Sequence, residues 1–428
     1  MASDSNTDRI FYHTLPDGIR LVHRQTGSPV AYAGIMTGAG TRDELPDENG
    51  MAHYIEHCVF KGCISADGSR GKRELSARQI IDRVEGIGGE INAYTTKEET
   101  VFYAATPAQY FARTLRLLWS LVSNPTFPKE ETDKECGVIL DEIESYNDSP
   151  SELIYDDFEG VVFSGHPLAM PILGTKKTLR QIGKSDNLPK DWMRKHYRRD
   201  RLVVFSQGNI PFAGVKAAVA RITAEADSVF GSNTPVMERL HVPELTEARD
   251  AHFRKHTHQS HAMLGGRAYN IGHKKQLGMY LLNHILGGSM SSRLNMSLRE
   301  KEGLVYTIES QYTPLSDSGY WSIYLACEPR HKEQCIDLCK AELARLCKQR
   351  LSTSQFRRAL VQLRGQMAIS AENQENNFLA MGKQMLYHNC APTWQETFAC
   401  IEKLTAQNLQ DIANEVFCED RMCLLTYE

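Results

Sequence analysis

The order of predicted elements in the first half of the chain recurs in the second half, and this restricts the fold more than any other feature. Each half has a β-prone run, a proline and two amphipathic helical segments, which are 100–105, Pro107, 108–123 and 130–145, then 320–326, Pro329, 333–347 and 354–367. The two prolines lie 222 positions apart in a chain of 428 residues. This spacing indicates duplication of one ancestral α/β unit, with chance similarity of two mixed segments as the alternative.

We therefore expect a protein with two homologous α/β halves. A stretch near 232–251 that contains Pro, Glu and Thr separates the two patterns, so the halves are predicted as 1–235 and 236–428. Residues 63–75 are small, polar and basic, and we expect them to form a flexible surface insertion.

Composition argues against several classes of protein. The chain has 49 Lys and Arg against 53 Asp and Glu, and this net charge of -4 argues against nucleic acid or an anionic membrane as a partner. No apolar run approaches the roughly 18 residues of a transmembrane helix. The first residues lack a signal-peptide pattern and the eleven cysteines include no CxxC pair, so we expect a cytoplasmic protein with reduced thiols. An organellar matrix or the periplasm is the alternative if a presequence has been removed.

The segment GMAHYIEH, residues 50–57, carries the clearest chemical signal. Histidines four residues apart share one face of a helix, so His53 and His57 can bind one metal ion. Glu56 lies beside them, where a general base is needed to take a proton from a water at the metal. A pair of surface histidines with a neighbouring acid is the alternative. Catalytic zinc usually has three protein ligands, so another element must supply the third.

Glu135 and Glu142 are the candidates for the third ligand. They are seven residues apart, which places them two turns apart on one face of the predicted helix 130–145. One carboxylate would bind the metal while the other holds a ligand histidine in place. Other acids on this helix, among them Asp141 and Glu144, make a solvated face the alternative, and spacing alone does not choose the ligand.

Several segments, in order, resemble the pitrilysin/insulinase family of zinc peptidases with an inverted motif, the inverzincins. These segments are HYIEH, FKG, GGEINAYTTKEETVFYA, ECGVILDEI, HPLAMPILGT and LREKEGLVY. The similarity extends from about residue 15 to the C-terminus, and the length matches the short-chain branch, which includes bacterial and mitochondrial processing peptidases. The resemblance implies an α+β metallohydrolase fold of the mitochondrial-processing-peptidase type, in which each of the two homologous α/β halves is a mainly antiparallel sheet packed with helices.

The resemblance also implies roles that the residue pattern leaves open. It implies one zinc ion per chain bound by His53, His57 and Glu142, with Glu56 as the base and Glu135 as the supporting carboxylate. The expected activity is that of a zinc-dependent metalloendopeptidase that hydrolyses peptides or unfolded segments in an enclosed chamber. The alternative is a non-catalytic subunit, or a subunit that depends on a different partner chain. The presence of every motif residue favours catalysis.

Two further pairs of residues are predicted to contact the peptide. An open strand edge near Asn92 and Ala93 would pair with an extended substrate, whereas a strand paired on both sides is the alternative. Arg299 and Tyr306 flank Gly303, so a helix followed by a turn is needed to bring them together. The resemblance implies that Arg299 holds a peptide carbonyl and that Tyr306 stabilises the oxyanion. Larger relatives enclose the chamber with four such units, so a chain with two units is expected to form a homodimer.

Overall fold

The structure is a computed structural model that describes residues 9–66, 71–185, 187–224, 230, 238–255 and 257–427. Its strands are β1 (Arg9–Thr14), β2 (Arg20–Gln25), β3 (Val30–Thr37), β4 (Gly62–Ala66), β5 (Lys72–Ser76), β6 (Glu90–Thr95), β7 (Thr100–Pro107), β8 (Leu202–Gly208), β9 (Arg249–Phe253), β10 (Ser260–Arg267), β11 (Val305–Pro314), β12 (Gly319–Cys327) and β13 (Cys423–Tyr427).

The helices are α1 (Met51–Cys58), α2 (Ala77–Glu85), α3 (Phe111–Ser123), α4 (Lys129–Asn147), α5 (Pro150–Val162), α6 (Lys176–Ile182), α7 (Leu188–His196), α8 (Phe212–Thr223), α9 (Gln276–Gly287), α10 (Lys332–Lys348), α11 (Thr353–Ser370), α12 (Gln374–His388), α13 (Trp394–Ile401) and α14 (Ala406–Val416). A 3-10 turn, Val59–Lys61, follows α1, and a π-helix occupies Asn295–Lys301. Within the described ranges, no helix combines the length and the apolar character needed to cross a bilayer.

The chain divides into two compact units. The first comprises residues 1–143, 170–239 and 373–392, and the second comprises 144–169, 240–372 and 393–428. The change of unit after residue 239 lies close to the predicted boundary between 235 and 236. The sequence pattern did not indicate that 144–169 would belong to the second unit or that 373–392 would belong to the first.

The two units contain corresponding sheets. The first sheet has the strand order β1-β2-β8-β3-β7-β6, and the second has the order β9-β13-β10-β12-β11. If β1 is set aside, the five remaining strands of the first sheet and the five strands of the second sheet have the same arrangement. In chain order, β2, β3, β6, β7 and β8 correspond to β9, β10, β11, β12 and β13. The pair β2 and β8 is parallel, as is the corresponding pair β9 and β13, whereas the other named pairs are antiparallel. These sheets confirm the predicted α+β fold with two related halves.

Each sheet has a helix on one face that comes from the other half of the chain. Helix α12 covers one face of the first sheet, where Phe378 stacks on Phe205 with ring centroids 4.3 Å apart. Helix α5 covers one face of the second sheet, where Phe158 packs beside Tyr320. Each of these helices follows a pair of helices in the chain, α3–α4 or α10–α11. It belongs to the unit whose sheet it covers, whereas the preceding pair belongs mainly to the other unit. The exchange is therefore symmetrical.

The two ends of the segment 63–75 are paired β-strands, so the expectation of a flexible insertion was wrong for these ends. Strands β4 and β5 are antiparallel, and Cys63 lies opposite Leu75. Both side chains are buried, and Ser120 on α3 donates a hydrogen bond to Ser65 over 3.1 Å. Burial and the backbone ladder order a stretch whose composition indicated a loop. Residues 67–70 lie outside the described part of the chain.

Two glycines determine how α1 begins. Gly50, immediately before the helix, has φ +94°, and Gly174 has φ +75°. A Cβ atom on Gly50 would lie 2.9 Å from the Cα of Gly174, and a Cβ on Gly174 would lie 2.5 Å from the carbonyl oxygen of Asn49. The two backbones are therefore in direct contact, which brings the segment HPLAMPILGT against the start of GMAHYIEH.

This contact predicts a difference between two glycine variants. Gly88 has φ +74°, almost the same as Gly174, but its Cβ position has no heavy-atom neighbour within 4 Å in the described residues. Either Gly→Ala change should cost about 1–2 kcal/mol for the left-handed backbone. Gly174→Ala should lose about 1–3 kcal/mol more through steric overlap. Chemical denaturation of both variants measures the difference, and equal free energies of unfolding would contradict the close contact.

Candidate metal centre

Helix α1 places two histidines beside an apolar face that is buried in the core. Met51, Ala52 and Ile55 are fully buried, which fixes the orientation of the helix. His53 is also buried and His57 is half-buried, and their ring centroids lie 4.5 Å apart. The four-residue spacing therefore brings the two imidazoles together on one face, as the sequence predicts.

A buried carboxylate, Glu44, holds the N-terminus of α1. Its oxygens accept hydrogen bonds from the backbone N–H groups of Gly50 and Ala52, each over 2.8 Å, and from the side-chain amide of Asn49 over 3.1 Å. These bonds pair amides that the first turn of a helix leaves free. The sequence pattern does not point to Glu44, because the residue lies outside the helix and outside the usual capping patterns.

Helix α4 brings both candidate carboxylates to the histidine pair. The Oε2 atom of Glu142 lies 3.8 Å from Nε2 of His53 and 3.7 Å from Nε2 of His57. The Oε1 atom of Glu135 lies 2.9 Å from Nδ1 of His57. Glu142 therefore faces the two Nε2 atoms, whereas Glu135 contacts the other nitrogen of one ring.

The spacing of these three side chains fits a metal ion. One ligand atom from each of His53, His57 and Glu142 lies within 4.8 Å of the others. Two atoms at about 2.0–2.2 Å from a tetrahedral zinc ion lie roughly 3.3–3.6 Å apart, so small side-chain rotations suffice. Two imidazoles and one carboxylate form a donor set typical of catalytic zinc, which leaves a fourth position open. Among the described residues, no other His, Cys, Asp or Glu trio meets this spacing.

The protonation of the imidazoles also suits a metal. Burial, with a smaller effect of the neighbouring His57, lowers the pKa of His53 to about 3, so this ring is neutral at pH 7. A carboxylate only accepts hydrogen bonds, so His57 must donate its Nδ1–H to Glu135, which leaves Nε2 free to bind a metal. The Nδ1 atom of His53 has no hydrogen-bond partner within the described residues. A protein carboxylate therefore orients only one of the two rings.

Lys61 contacts the second oxygen of Glu135. Its Nζ atom lies 2.7 Å from Oε2 of Glu135. Lys61 ends the 3-10 turn after α1, so His57 and Lys61 bind the same carboxylate from one continuous segment. The residue occurs in the FKG triplet, but neither this triplet nor the resemblance predicts a role for it. Its position four residues after His57 was the available signal, because residues at this spacing share a helix face.

Glu56 lies on α1 next to strand β6. Its Oε2 atom accepts a hydrogen bond from the hydroxyl of Thr95 over 3.1 Å. Burial raises the pKa of Glu56 above its ordinary value, while His57 and this hydrogen bond act in the opposite direction. Strand β6 is the edge of the first sheet and pairs only with β7 in the described part of the chain. The predicted substrate residues Asn92 and Ala93 lie in the middle of this edge strand.

Arg299 and Tyr306 belong to the second unit. Arg299 lies in the π-helix, and Tyr306 follows the first residue of β11. Gly303 has φ +62° between them and donates its N–H to the carbonyl of Arg299 over 3.2 Å. The helix and turn that this pair requires are therefore present, and both side chains are exposed.

The sequence matches two family models. Residues 20–176 match the model described as "Insulinase (Peptidase family M16)", and residues 190–363 match "Peptidase M16 inactive domain". A Streptomyces coelicolor protein named "Uncharacterized zinc protease SCO5738" is 30% identical over 408 residues, which cover 94% of this chain and 86% of that protein. The Bacillus subtilis "Uncharacterized zinc protease YmxG" is 29% identical over 416 residues, or 95% of this chain and 96% of the relative.

Two crystal structures share the fold. A protease from Helicobacter pylori superposes with a TM-score of 0.89 at 19% identity, covering 98% of this chain and all of the other. A structure described as a peptidase M16 inactive domain from Pseudomonas fluorescens superposes with a TM-score of 0.86 at 19% identity, covering 98% of each chain. At this level of identity the likeness concerns the architecture.

The geometry predicts that Glu142 is needed to bind zinc. Glu142→Gln should weaken zinc affinity at least about tenfold, because the site loses its anionic ligand. Asp141→Asn is the matched control, because it removes the same charge from the neighbouring exposed position of α4. Competition between the metal-free protein and a chromogenic chelator measures both affinities. Equal affinities for the two variants would show that Glu142 is not a ligand.

Proposed function

Because the chain belongs to the insulinase (M16) family of peptidases, we propose that it is a zinc-dependent metalloendopeptidase. The observation that carries this proposal is the group formed by His53, His57 and Glu142, with Glu56 on the same helix. Relatives named as zinc proteases, with similarity along almost the whole chain, support it. The proposed substrates are peptides or unfolded segments.

Each residue of the centre has a distinct part in the proposed reaction. His53, His57 and Glu142 hold one zinc ion per chain, and Glu135 orients His57. Bound zinc supplies Lewis acidity, which polarises a peptide carbonyl and makes water more acidic. The Glu142 carboxylate also lowers the net positive charge of the site.

Glu56 carries the proton during hydrolysis. It takes a proton from the attacking water, whose oxygen forms a bond to the carbonyl carbon of the scissile peptide. When the C–N bond breaks, Glu56 returns this proton to the leaving amine. Burial moves the pKa of Glu56 upward, toward the working range of a base near neutral pH, and Thr95 holds its carboxylate on the side that faces β6.

The edge strand β6 provides a way to hold the substrate. An extended peptide that pairs with the backbone at Asn92 and Ala93 would lie alongside the strand that also carries Thr95, the partner of Glu56. Backbone pairing selects an extended shape and makes few demands on side chains. This mode of binding favours unfolded segments over folded proteins, whose strands are already paired.

We also propose that two chains form a homodimer that encloses the site. In this arrangement the Tyr306 hydroxyl stabilises the oxyanion and Arg299 holds a peptide carbonyl, each acting in the site of the partner chain. The exposure of both side chains on the second unit supports a role in contacting another molecule. The resemblance to larger relatives with four units supports the number of chains.

The roles of Glu56 and Glu142 are separable by experiment. Glu56→Gln should keep wild-type zinc affinity, because the ligands are intact, but should lose about 10²–10⁴-fold in kcat through loss of the base. Digestion of a mixed peptide library, followed by mass spectrometry, measures cleavage, and chelator competition measures zinc. Full activity in Glu56→Gln would contradict the role of Glu56 as the base. Loss of zinc from Glu56→Gln, while Glu142→Gln keeps its zinc and its activity, would contradict both assignments.

Mixing inactive variants tests the dimer. Glu56→Gln lacks the base, and Arg299→Ala/Tyr306→Phe lacks the substrate contacts, so each homodimer should be nearly inactive. After subunit exchange, about a quarter of wild-type activity should return, because half of the dimers are mixed and each mixed dimer has one intact site. Mixed dimers without activity would contradict action on the partner site. A fully active monomer would contradict the dimer.

A further inference from the structure

We propose that Lys61 is a positioning residue of the metal centre: it holds Glu135 in place, and Glu135 in turn orients His57. The inference rests on the function proposed above and adds a residue that this function does not include. Lys61 has no atom among the candidate ligands, so it can orient the centre only through the carboxylate that it contacts.

The two oxygens of Glu135 have different partners. Oε1 accepts the hydrogen bond from Nδ1 of His57 over 2.9 Å, and Oε2 pairs with Nζ of Lys61 over 2.7 Å. The Glu135 side chain is only 9% exposed, so water replaces little of either contact. Without the ammonium group, Oε2 loses the ion pair that holds it, and the carboxylate rotates more easily about its last bond. This rotation would take Oε1 away from His57.

The position of Lys61 in the chain links two helices. His57 and Lys61 are four residues apart on the continuous segment of α1 and the 3-10 turn, and they bind Glu135 of α4 together. Glu142 lies two turns further along α4, where it faces the Nε2 atoms. The Lys61–Glu135–His57 contact therefore orients the ring of His57 and links α1 to the helix that carries Glu142. Displacements of about 1 Å in such sites lower rates severely.

Helix α4, which carries Glu135, also has an ion pair that does not contact the metal centre. Lys134 and Glu131 are also 2.7 Å apart, but their side chains are 67% and 39% exposed, compared with 25% and 9% for Lys61 and Glu135. Exposed pairs contribute little, whereas removal of one partner from a buried pair leaves a charge poorly compensated. Lys134 is therefore the matched control for Lys61.

The test compares zinc affinity and kinetics in a set of full-length variants. The metal-free proteins compete with a chromogenic chelator for zinc, and a fluorogenic peptide gives kcat and KM. Lys61→Met should weaken zinc binding and lower kcat, each by about three- to tenfold, with KM almost unchanged. Lys61→Arg should recover most of both losses, because it keeps a cation beside Oε2. Lys134→Met should match the wild type.

A double-mutant cycle shows whether Lys61 acts through Glu135. Glu135→Gln alone should reduce zinc affinity and activity, and adding Lys61→Met should change either quantity less than about twofold, because the two effects are not additive. Independent, multiplying effects would overturn the positioning role. Unchanged or tighter zinc binding in Lys61→Met would also overturn the positioning role. In that case, the removal of a cation near the metal outweighs any loss of orientation.

Two controls keep the inference separate from protein folding and from the proposed function. Thermal melting of each metal-free variant checks the fold, and if Lys61→Met does not fold, Lys61→Gln takes its place against Lys61→Arg. Equal zinc affinity and kcat for Gln and Arg would overturn the proposal. A wild-type protein that binds zinc but cleaves no peptide would contradict the peptidase function, whereas an active wild type matched by Lys61→Met would contradict only the role of Lys61.

Discussion

The carboxylate of Glu135 joins two helices that must keep their spacing for the candidate centre to exist. It accepts a hydrogen bond from His57 on α1 and lies two turns from Glu142 on α4. Helix α1 is also fixed at its other end, where Glu44 accepts bonds from its first turn. Buried polar contacts at both ends and an apolar face against the core hold the histidines in position. The donor atoms therefore lie within a short distance of one another, as a shared metal ion requires.

The two units have similar scaffolds that carry different side chains. The sheets correspond strand for strand, and α9 follows β10 in the second unit as α1 follows β3 in the first. Helix α9 carries a single buried histidine, His284, in place of the HxxEH pattern. The family model that covers residues 190–363 is described as an inactive domain, in agreement with this difference. The second unit instead exposes Arg299 and Tyr306.

The sequence predicts those features that depend on local periodicity and spacing. The strand and two helices that recur in each half, and the shared face of His53 and His57, follow from neighbours in the chain. The exchange of α5 and α12 does not follow, because an amphipathic helix shows which face is buried but not the sheet that buries it. For the same reason, the sequence pattern does not show whether Glu135 or Glu142 is the metal ligand. Both share one face of α4, and only the packing against α1 separates their positions.

Polar segments were the least predictable part of the fold. The residues 63–75 have a loop-like composition, yet their ends form paired strands because Cys63 and Leu75 face the core. Lys61 presented a readable signal, the four-residue spacing from His57, but a lysine at such a position usually lies in solvent. Its contact with Glu135 depends on the approach of α4, which the local sequence does not encode.

Anomalous X-ray diffraction from crystals grown with zinc is the most direct test of the metal centre. Data collected on both sides of the zinc absorption edge locate the ion independently of the protein coordinates. We expect one strong anomalous peak per chain, at about 2.0–2.2 Å from Nε2 of His53, Nε2 of His57 and a carboxylate oxygen of Glu142. A dominant peak elsewhere in the chain, or none between these three side chains, would contradict it.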